Sequence, residues 1–414
     1  MNGELYWIWL SSALGAGADC SDLLSYYEWN PCIIYGTVMN GQGKIPFLTQ
    51  KQKERLRRYP LSRAEEILKV SQSRGWSVVT PSDRRYPKRL LELPSMPLVL
   101  YADGNADLLD GELQVAVVGA RKASDYGRAV ARALSGALAS RGFTIVSGGA
   151  LGIDSAAHLG ALDENAPTIL VMGCGLGAKY LTENEPLRSR IRKNGVMISE
   201  FEPYARPGRE TFPLRNRIIS GMTLGTVVVE AGERSGSLIT ARLALEQGRD
   251  VFAVPGDLVS SSFLGTNNLI RQGAVPVFSP NDVLNEYAAR YAGKMRGGDI
   301  PDDEIIRRAQ AFLSDKDFVT KREPVKKQEL CEAPEPARSE KGKTAVGAKK
   351  EDLDFLSENA RKIYSLLSDT PEYADELMAK ASLSPSETLS ALTELEIYGL
   401  AEQLGGRRYK AAGM

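Results

Sequence analysis

Short apolar runs alternate with helical stretches along the middle of the chain, and this alternation limits the folds available to it. The runs are rich in valine, isoleucine and threonine, as buried strands are. They cover Val115–Val118, Thr144–Val146, Thr168–Met172, Val196–Ile198, Thr226–Val229 and Asp250–Val254. Helical patterns separate them over Tyr126–Arg141, Asp154–Leu162, Glu185–Lys193 and Ser237–Gln247. Repetition of strand then helix predicts an α/β fold with a doubly wound, mostly parallel sheet covered on both faces.

Composition and periodicity divide the rest of the chain around this region, which spans residues 76–290. Residues 1–75 alternate apolar clusters with polar turns and predict a small helical N-terminal domain. Residues 291–350 are charged and poor in large apolar side chains, so we expect a flexible linker. Residues 351–414 contain three helical stretches and a tail suited to a two-stranded hairpin, which together predict a winged helix.

The overall charge gives no sign of a nucleic-acid partner, because 52 Lys plus Arg balance 52 Asp plus Glu. Any phosphate binding must therefore come from local patches. The four cysteines (Cys20, Cys32, Cys174 and Cys331) have neither zinc-site spacing nor the density of a disulfide framework, which indicates a reducing, cytoplasmic compartment. No apolar run approaches the length of a membrane span, so we expect no export signal, anchor or transmembrane helix, and no metal site.

Several glycine-bearing turns follow predicted strands and open predicted helices. In an open α/β sheet, ligands bind outside the carboxyl ends of the strands, where helix N-termini favour anions. The turns are Gly119–Arg121, Ser147–Asp154 and Glu230–Leu238. Arg121 either binds a phosphate through two guanidinium N–H groups or is a surface arginine paired with an acid. The glycines either allow a phosphate to approach the backbone or form tight turns. The same two alternatives, phosphate contact or plain helix break, apply to the hairpin Leu14–Gly17.

Two stretches are locally basic. One of them contains Arg206, Arg209, Arg215 and Arg217. Tyr204 and Phe212 are interleaved with these arginines, and Asn216 lies between the last two, a mixture typical of sites that neutralise a backbone and stack bases of a single strand. The other stretch lies on a predicted helix and is either a solvated face or part of the same site. Its members are Arg188, Arg190, Arg192 and Lys193.

Three further features argue against catalysis or against a second DNA-binding element. His158, the only histidine, lies in the middle of a predicted helix, which favours a packing role over general acid–base chemistry. Gly173–Gly177 resembles a dinucleotide loop but lacks the acidic residue that such a unit needs. The third helix of the winged region carries Glu387, Glu394 and Glu396, which would repel phosphates, so we expect a protein-contact or regulatory role for it rather than transcription control.

In order along the chain, a series of motifs resembles those of the DprA (Smf) family of DNA-processing proteins. The resemblance covers about Trp76 to Phe278 and is carried by Gly119–Arg121, Ser147–Ala150 with Gly152–Asp154 and Ala157–His158, Ile198–Glu200, Phe212–Gly221, Ser235–Ala241, Gly248–Gly256, Asn268–Ile270 and Gly273–Ala274. The chain departs from the family pattern at Tyr180–Asn184, where a proline usually follows the tyrosine.

The resemblance implies an extended Rossmann domain that binds single-stranded DNA and some double strands, needs no cofactor, forms a homodimer and loads the RecA recombinase on incoming DNA during natural transformation. It implies nucleic-acid contacts by Arg121, Ser147, Gly148, Gly149, Phe212, Arg215, Asn216, Arg217, Ser235, Gly236 and Ser237. The apolar segment that contains Phe263, Leu264, Leu269 and Ile270 is a candidate dimer face.

The competing hypothesis is an enzyme of the lysine-decarboxylase-like phosphoribohydrolase class, which shares the glycine-loop layout. That class is similar in fold but carries a Pro-Gly-Gly-x-Gly-Thr phosphate loop and a catalytic glutamate. The corresponding stretch here, Glu230–Ser237, lacks this loop. The sequence therefore favours a binding protein without catalytic residues.

Overall fold

The computed structural model describes residues 3–41, 45–291, 293–301, 303–314, 356–368, 370–397, 400–404 and 408–411. The chain divides into two compact units, Met1–Lys326 and Lys327–Met414. Within the described ranges, no helix has both the length and the apolar character that crossing a bilayer requires.

The first unit is built on a nine-stranded sheet with the order β1-β2-β6-β5-β4-β3-β7-β8-β9. The strands are β1 (Ser77–Val79), β2 (Leu100–Gly104), β3 (Gln114–Val118), β4 (Thr144–Ser147), β5 (Thr168–Val171), β6 (Val196–Ser199), β7 (Gly225–Val228), β8 (Asp250–Ala253) and β9 (Val275–Pro276). Pairing is parallel from β6 across to β9, and only β1 and β2 join antiparallel. The predicted α/β sheet is confirmed, and its six predicted strands agree to within one residue at each end.

Helices cover both faces of this sheet. They are α6 (Asp125–Ser140), α7 (Ile153–Asp163), α8 (Glu185–Asn194), α9 (Thr211–Gly221), α10 (Gly236–Glu246), α11 (Leu264–Arg271), α12 (Pro280–Tyr291) and α13 (Glu304–Ser314). The four predicted helices correspond to α6, α7, α8 and α10, whereas α9 was not predicted. Alternate residues of β3 enter different cores: Val115 and Val117 pack with α6 and α7, while Ala116 and Val118 pack on the opposite face.

The N-terminal region is helical, as predicted, and packs on one face of the sheet. Its helices are α1 (Gly3–Leu14), α2 (Ser21–Tyr26), α3 (Pro31–Asn40), α4 (Gln50–Arg58) and α5 (Leu61–Ser73). Trp7 and Trp9 are buried in the same hydrophobic cluster as Val118 and Ile218 of the α/β region. The helical region therefore shares its core with the sheet, although sequence analysis assigned it to a separate domain.

Residues 304–314, which composition assigns to the flexible linker, instead form α13 against α6. Ile305 is buried, and Arg308 donates to Glu164 at 2.5 Å and to Glu304 at 2.6 Å. The charged residues that indicated a linker are thus partly used in local ion pairs, which composition alone does not reveal. Residues 315–350 of the predicted linker lie outside the described residues.

The second unit has the predicted winged-helix architecture. Its elements are α14 (Glu358–Tyr364), β10 (Glu372–Tyr373), α15 (Ala374–Ala381), α16 (Pro385–Ile397), β11 (Ala401–Leu404) and β12 (Arg408–Ala411). The hairpin strands pair antiparallel, and β10 completes a three-stranded sheet. Leu377, Leu392 and Leu395 form the centre of its own hydrophobic core.

Candidate nucleic-acid interface

A crevice of the first unit lies at the point where the sheet reverses its strand order. Strands β4, β5 and β6 extend the sheet to one side of β3, and the chain then returns to place β7 on the other side. Such a switch point opens a cleft at the carboxyl ends of the strands. A crevice of about 600 Å³ occupies it. Its polar and aromatic lining includes Arg121, Asp154, Arg209, Phe212, Arg215, Asn216, Arg234, Ser235, Ser237 and Thr240.

The ring of Phe212 forms a fixed platform in this crevice. The guanidinium carbon of Arg121 lies 5.2 Å from the centre of the ring, and the ring of Tyr180 lies 5.5 Å away from it. Gly173 passes so close to Phe212 that a Cβ atom there would lie 2.7 Å from the ring, so only glycine fits. Arg121 itself is exposed. The solvent-accessible guanidinium of Arg121 therefore lies over the Phe212 ring, at the mouth of the crevice.

Arg215 forms part of the crevice floor but is held mainly by the sheet. Its guanidinium is buried and donates hydrogen bonds to the carbonyl oxygen of Gly148 at 2.7 Å and to that of Val171. Burial lowers the pKa of Arg215, while the nearby carboxylate of Asp154 opposes this shift. Arg215 thus contributes a fixed positive charge beneath the crevice rather than a mobile clamp.

The turn Ser147–Gly149 does not line the crevice, in contrast to its predicted phosphate contact. Ser147 is buried and donates its hydroxyl to Val117 at 2.7 Å. A Cβ atom at Gly148 would lie 2.6 Å from Nη1 of Arg215, and one at Gly149 would meet Leu170 at a similar distance. The side chains of Arg215 and Leu170 pack against the backbone of these two glycines, which is why the loop is glycine-rich.

Arg217, which was predicted to contact DNA, also does not line the crevice. It is buried and lies in an ion pair with Glu200 at 2.5 Å, outside the crevice lining. Residues two apart on a helix point in nearly opposite directions, so α9 directs Arg215 and Arg217 to different sides. The backbone N–H of Gly17 donates to the same Glu200 carboxylate at 3.2 Å. The Leu14–Gly17 hairpin therefore contacts a carboxylate of its own chain.

The loop after β7 places Ser235, Gly236 and Ser237 in the crevice wall, as predicted, at the start of α10. The Ser235 hydroxyl caps this helix by accepting from the Ser237 N–H at 3.4 Å. Arg234 in the same loop and Arg209 before α9 are exposed and line the crevice. Arg209 belongs to the locally basic stretch of the sequence, whereas Arg234 was not selected. Arg234 directly precedes the motif residue Ser235, and that adjacency is the signal that was available.

Glu230 follows β7, and its carboxylate has a structural role. It is 1% exposed and accepts hydrogen bonds from the Ser124 N–H at 3.0 Å and from the Ser124 hydroxyl at 2.7 Å. Ser124 in turn caps α6 by accepting from the Gly127 N–H. Glu230 therefore fixes the start of α6.

His158 is fully buried, which confirms its predicted packing role. The hydroxyl of Thr168 donates to the Ile145 carbonyl and so accepts from Nδ1 of His158 at 2.7 Å, which places the imidazole proton on Nδ1. Nε2 has no partner among the described residues. Burial lowers the pKa of His158 to about 3, so the ring is neutral at neutral pH. Among the described residues, no group of three or more His, Cys, Asp or Glu side chains is placed to hold a metal ion.

The predicted dimer-face residues divide by exposure. Phe263 is buried beside Gly256, with its ring 5.8 Å from that of Tyr126, so it belongs to the core of this chain and not to a free surface. Leu264 is 40% exposed, and Leu269 and Ile270 are half-buried on α11. The interface assignment of these three residues stays a prediction.

Comparison with known proteins identifies the family. Residues 77–288 match the family described as DNA recombination-mediator protein A, and residues 347–407 match the DprA winged helix domain. The chain belongs to the DprA/Smf family. Protein Smf of Synechocystis is 34% identical over 352 residues, which are 83% of this chain and 82% of that protein. DNA processing protein DprA of Bacillus subtilis is 38% identical over 224 residues, or 54% of this chain and 75% of that protein.

The fold agrees with a solved structure of another DprA/Smf protein. The X-ray structure of DNA processing protein A from Streptococcus pneumoniae superimposes with a TM-score of 0.58 and 34% sequence identity. The superposition covers 68% of this chain and 97% of the other.

Proposed function

We propose that this DprA/Smf protein processes DNA by holding single-stranded DNA in the crevice at the switch point, without chemical turnover. The observation that carries this proposal is the Phe212 ring, fixed from below by Gly173 and flanked by the exposed guanidinium of Arg121 at 5.2 Å. A base stacks on such a ring regardless of its identity, while the guanidinium attracts the adjoining phosphate.

The charge of the crevice supports an anionic ligand. Four arginines line it (Arg121, Arg209, Arg215 and Arg234), and Asp154 is the one acidic residue in the same lining. Asp154 is buried, and burial raises the pKa of its carboxyl group. The start of α10 lies at the same edge, so the positive end of its helix dipole also favours an anion there. A polyanionic strand therefore gains favourable electrostatics along the whole crevice, although the chain has no net charge.

The arrangement supports a binding protein rather than an enzyme. The crevice lining contains no histidine or cysteine, and its one carboxylate, Asp154, accepts from the Ala150 N–H at 3.3 Å and faces Arg215. Glu230, the first residue of the stretch that corresponds to the phosphate loop of the phosphoribohydrolase alternative, is turned toward Ser124. We therefore propose that no nucleotide is hydrolysed.

Family membership extends the proposal to its partners. Protection of incoming DNA, loading of the RecA recombinase, dimerisation through the surface around Leu264, Leu269 and Ile270, and a cytoplasmic location are carried over from the resemblance to DprA proteins. These assignments rest on the family and on the partial exposure of the α11 residues.

The proposal is tested by titrating the full chain into labelled oligo-dT at several salt concentrations. The double variant Arg121→Ala with Arg234→Ala should bind more weakly and lower the slope of log affinity against log salt by about 0.7 for each phosphate that it no longer binds. The matched control is Arg307→Ala, an exposed arginine on α13 that pairs with Asp303 and lies outside the crevice. Equal binding by the double variant and the wild type would refute the site.

A further inference from the structure

A second pocket of about 400 Å³ lies beside the crevice, between α8 and the loop that follows β5. Its cationic and aromatic lining consists of Arg74, Trp76, Lys179, Tyr180, Arg188 and Arg192. Asp103 and Glu185 also contribute to the wall. Clustering of cations with aromatic rings is the composition that single-stranded nucleic acids require of a binding groove.

Arg188 is the unusual residue of this pocket. Its side chain is 6% exposed, yet its guanidinium donates no hydrogen bond to any described residue, and its nearest acid is Glu185 at 3.8 Å. Nε of Arg188 is buried without a partner among the described residues. Neighbouring arginines of α8 differ, because Arg190 pairs with Asp163 and Arg192 with Glu185. Burying a cation without a partner is unfavourable, so such a group signals a ligand that completes it.

The charges around Arg188 select an anion. Arg192 lies between Glu185 and Asp103 and satisfies both. Burial raises the pKa of Asp103, while the nearby Arg192 guanidinium opposes this shift. Arg74 donates only to the hydroxyl of Tyr204 at 3.0 Å, and Lys179 is exposed without an ion pair among the described residues. Arg74 and Lys179 therefore have no carboxylate partner among the described residues, and Arg188 shares Glu185, at 3.8 Å, with the closer Arg192.

The second pocket adjoins the crevice through two aromatic rings in contact, tilted by 44°. Tyr180 lines the second pocket, Phe212 lines the crevice, and their ring centres are 5.5 Å apart. Arg121 stands on the crevice side of this ring pair, and Arg188 lies on the other side. Leu181, which follows Tyr180, has a left-handed φ of 44°, a strained conformation for leucine that functional turns often retain. A strand that stacks on the rings would bring its backbone toward both guanidinium groups.

We infer that Arg188 binds a backbone phosphate of the DNA strand where the strand leaves the crevice past Phe212 and Tyr180. This inference rests on the proposed function, because it extends the same DNA path by one subsite. A guanidinium at the end of a pocket offers a phosphate two parallel N–H donors, which a lysine cannot do.

The test measures the affinity of the full-length protein for unphosphorylated oligo-dT of about 4 to about 16 nucleotides. Arg188→Met keeps the apolar stem and removes the charge. We expect it to lower affinity about tenfold for the longer oligomers and to leave the shortest, which fill only the crevice, unaffected. Arg188→Lys should restore part of the affinity. Arg190→Met, two residues away and outside both pockets, is the matched control and should bind like the wild type.

Melting temperature separates a binding role from a structural one. Because Arg188 has no close partner among the described residues, Arg188→Met should melt no lower than the wild type. A lower melting temperature with unchanged affinity at every length would overturn the inference. A decrease in affinity confined to 5′-phosphorylated oligomers would also overturn it, since the anion would then be a terminal phosphate.

Failure of the proposed function gives a different pattern. Arg121→Ala is expected to weaken binding of every oligomer, short or long. If Arg121→Ala weakens binding and Arg188→Met leaves the affinity for every oligomer unchanged, the proposed function of the crevice is supported and the second subsite is refuted. If the wild type binds no oligo-dT at all, both the proposed function and the second subsite are refuted.

Discussion

Arg217 and Glu200 form a buried ion pair in which one guanidinium nitrogen, Nη2, lies 2.6 Å from Oε1 and 2.5 Å from Oε2. The pair joins α9 to the end of β6, and the N–H of Gly17 also donates to Oε1 of Glu200. The remaining nitrogens of Arg217, Nε and Nη1, have no hydrogen-bond partner among the described residues. This pair therefore connects the hairpin between α1 and α2 to the sheet, and each charge depends on the other for compensation.

Removal of one partner should destabilise the protein. Arg217→Ala leaves the Glu200 carboxylate buried and uncompensated, so we expect the free energy of unfolding to fall by about 3–5 kcal/mol. Urea denaturation followed by tryptophan fluorescence is a suitable measurement, because the four tryptophans all lie within residues 7–76. The control is the double variant Arg217→Met with Glu200→Gln, which should recover much of the stability. A decrease below about 1 kcal/mol for Arg217→Ala would contradict the assignment.

Phe212 should matter for DNA affinity through its ring. Phe212→Ala removes the stacking surface and should weaken oligo-dT binding by about 1–3 kcal/mol, whereas Phe212→Trp should retain most of it. Fluorescence anisotropy at a fixed salt concentration measures the change. Phe278→Ala is the matched control, since Phe278 is 72% exposed and lies outside the crevice. Equal decreases in the two alanine variants would argue against stacking at Phe212.

His158 should make folding stability depend on pH. Burial lowers its pKa from 6.5 to about 3, so the unfolded chain binds one proton more than the folded chain between these values. This contribution to stability is present above the unfolded pKa and is lost as the pH falls. Between about pH 7.5 and about pH 5.5 the wild type should lose about 1.4 kcal/mol that His158→Gln does not lose. Parallel urea titrations of the two proteins measure this, and identical pH profiles would contradict the neutral buried ring.

Glu230 provides a test of the enzyme alternative. Glu230→Gln weakens the hydrogen bonding to Ser124 at the start of α6, so we expect the free energy of unfolding to fall by about 1–3 kcal/mol with DNA affinity unchanged below the melting transition. Neither protein should release a base from a nucleoside monophosphate. Turnover by the wild type that disappears in Glu230→Gln would instead support a phosphoribohydrolase.

The amino-acid sequence by itself determined six of the nine strands of the large sheet, four of the helices that cover it, and the helices and hairpin of the winged helix. Strands such as Val115–Val118 and helices such as Ser237–Gln247 were predicted almost at their observed bounds, because periodicity and the glycine turns between elements are local properties of the chain. Their repetition also fixed the carboxyl edge of the sheet as the place for a ligand. The motif order further indicated the DprA/Smf family.

Only the tertiary structure decided which side chains face the ligand. Arg215, Arg217 and Arg188 are alike in sequence as basic residues near the motifs, but one forms the crevice floor, one is paired with Glu200 and one lies in a second pocket. The direction of a side chain depends on the phase of its helix and on partners distant in the chain, such as Gly148 for Arg215. Local composition contains neither quantity, so the crevice around Phe212 became visible only in the folded molecule.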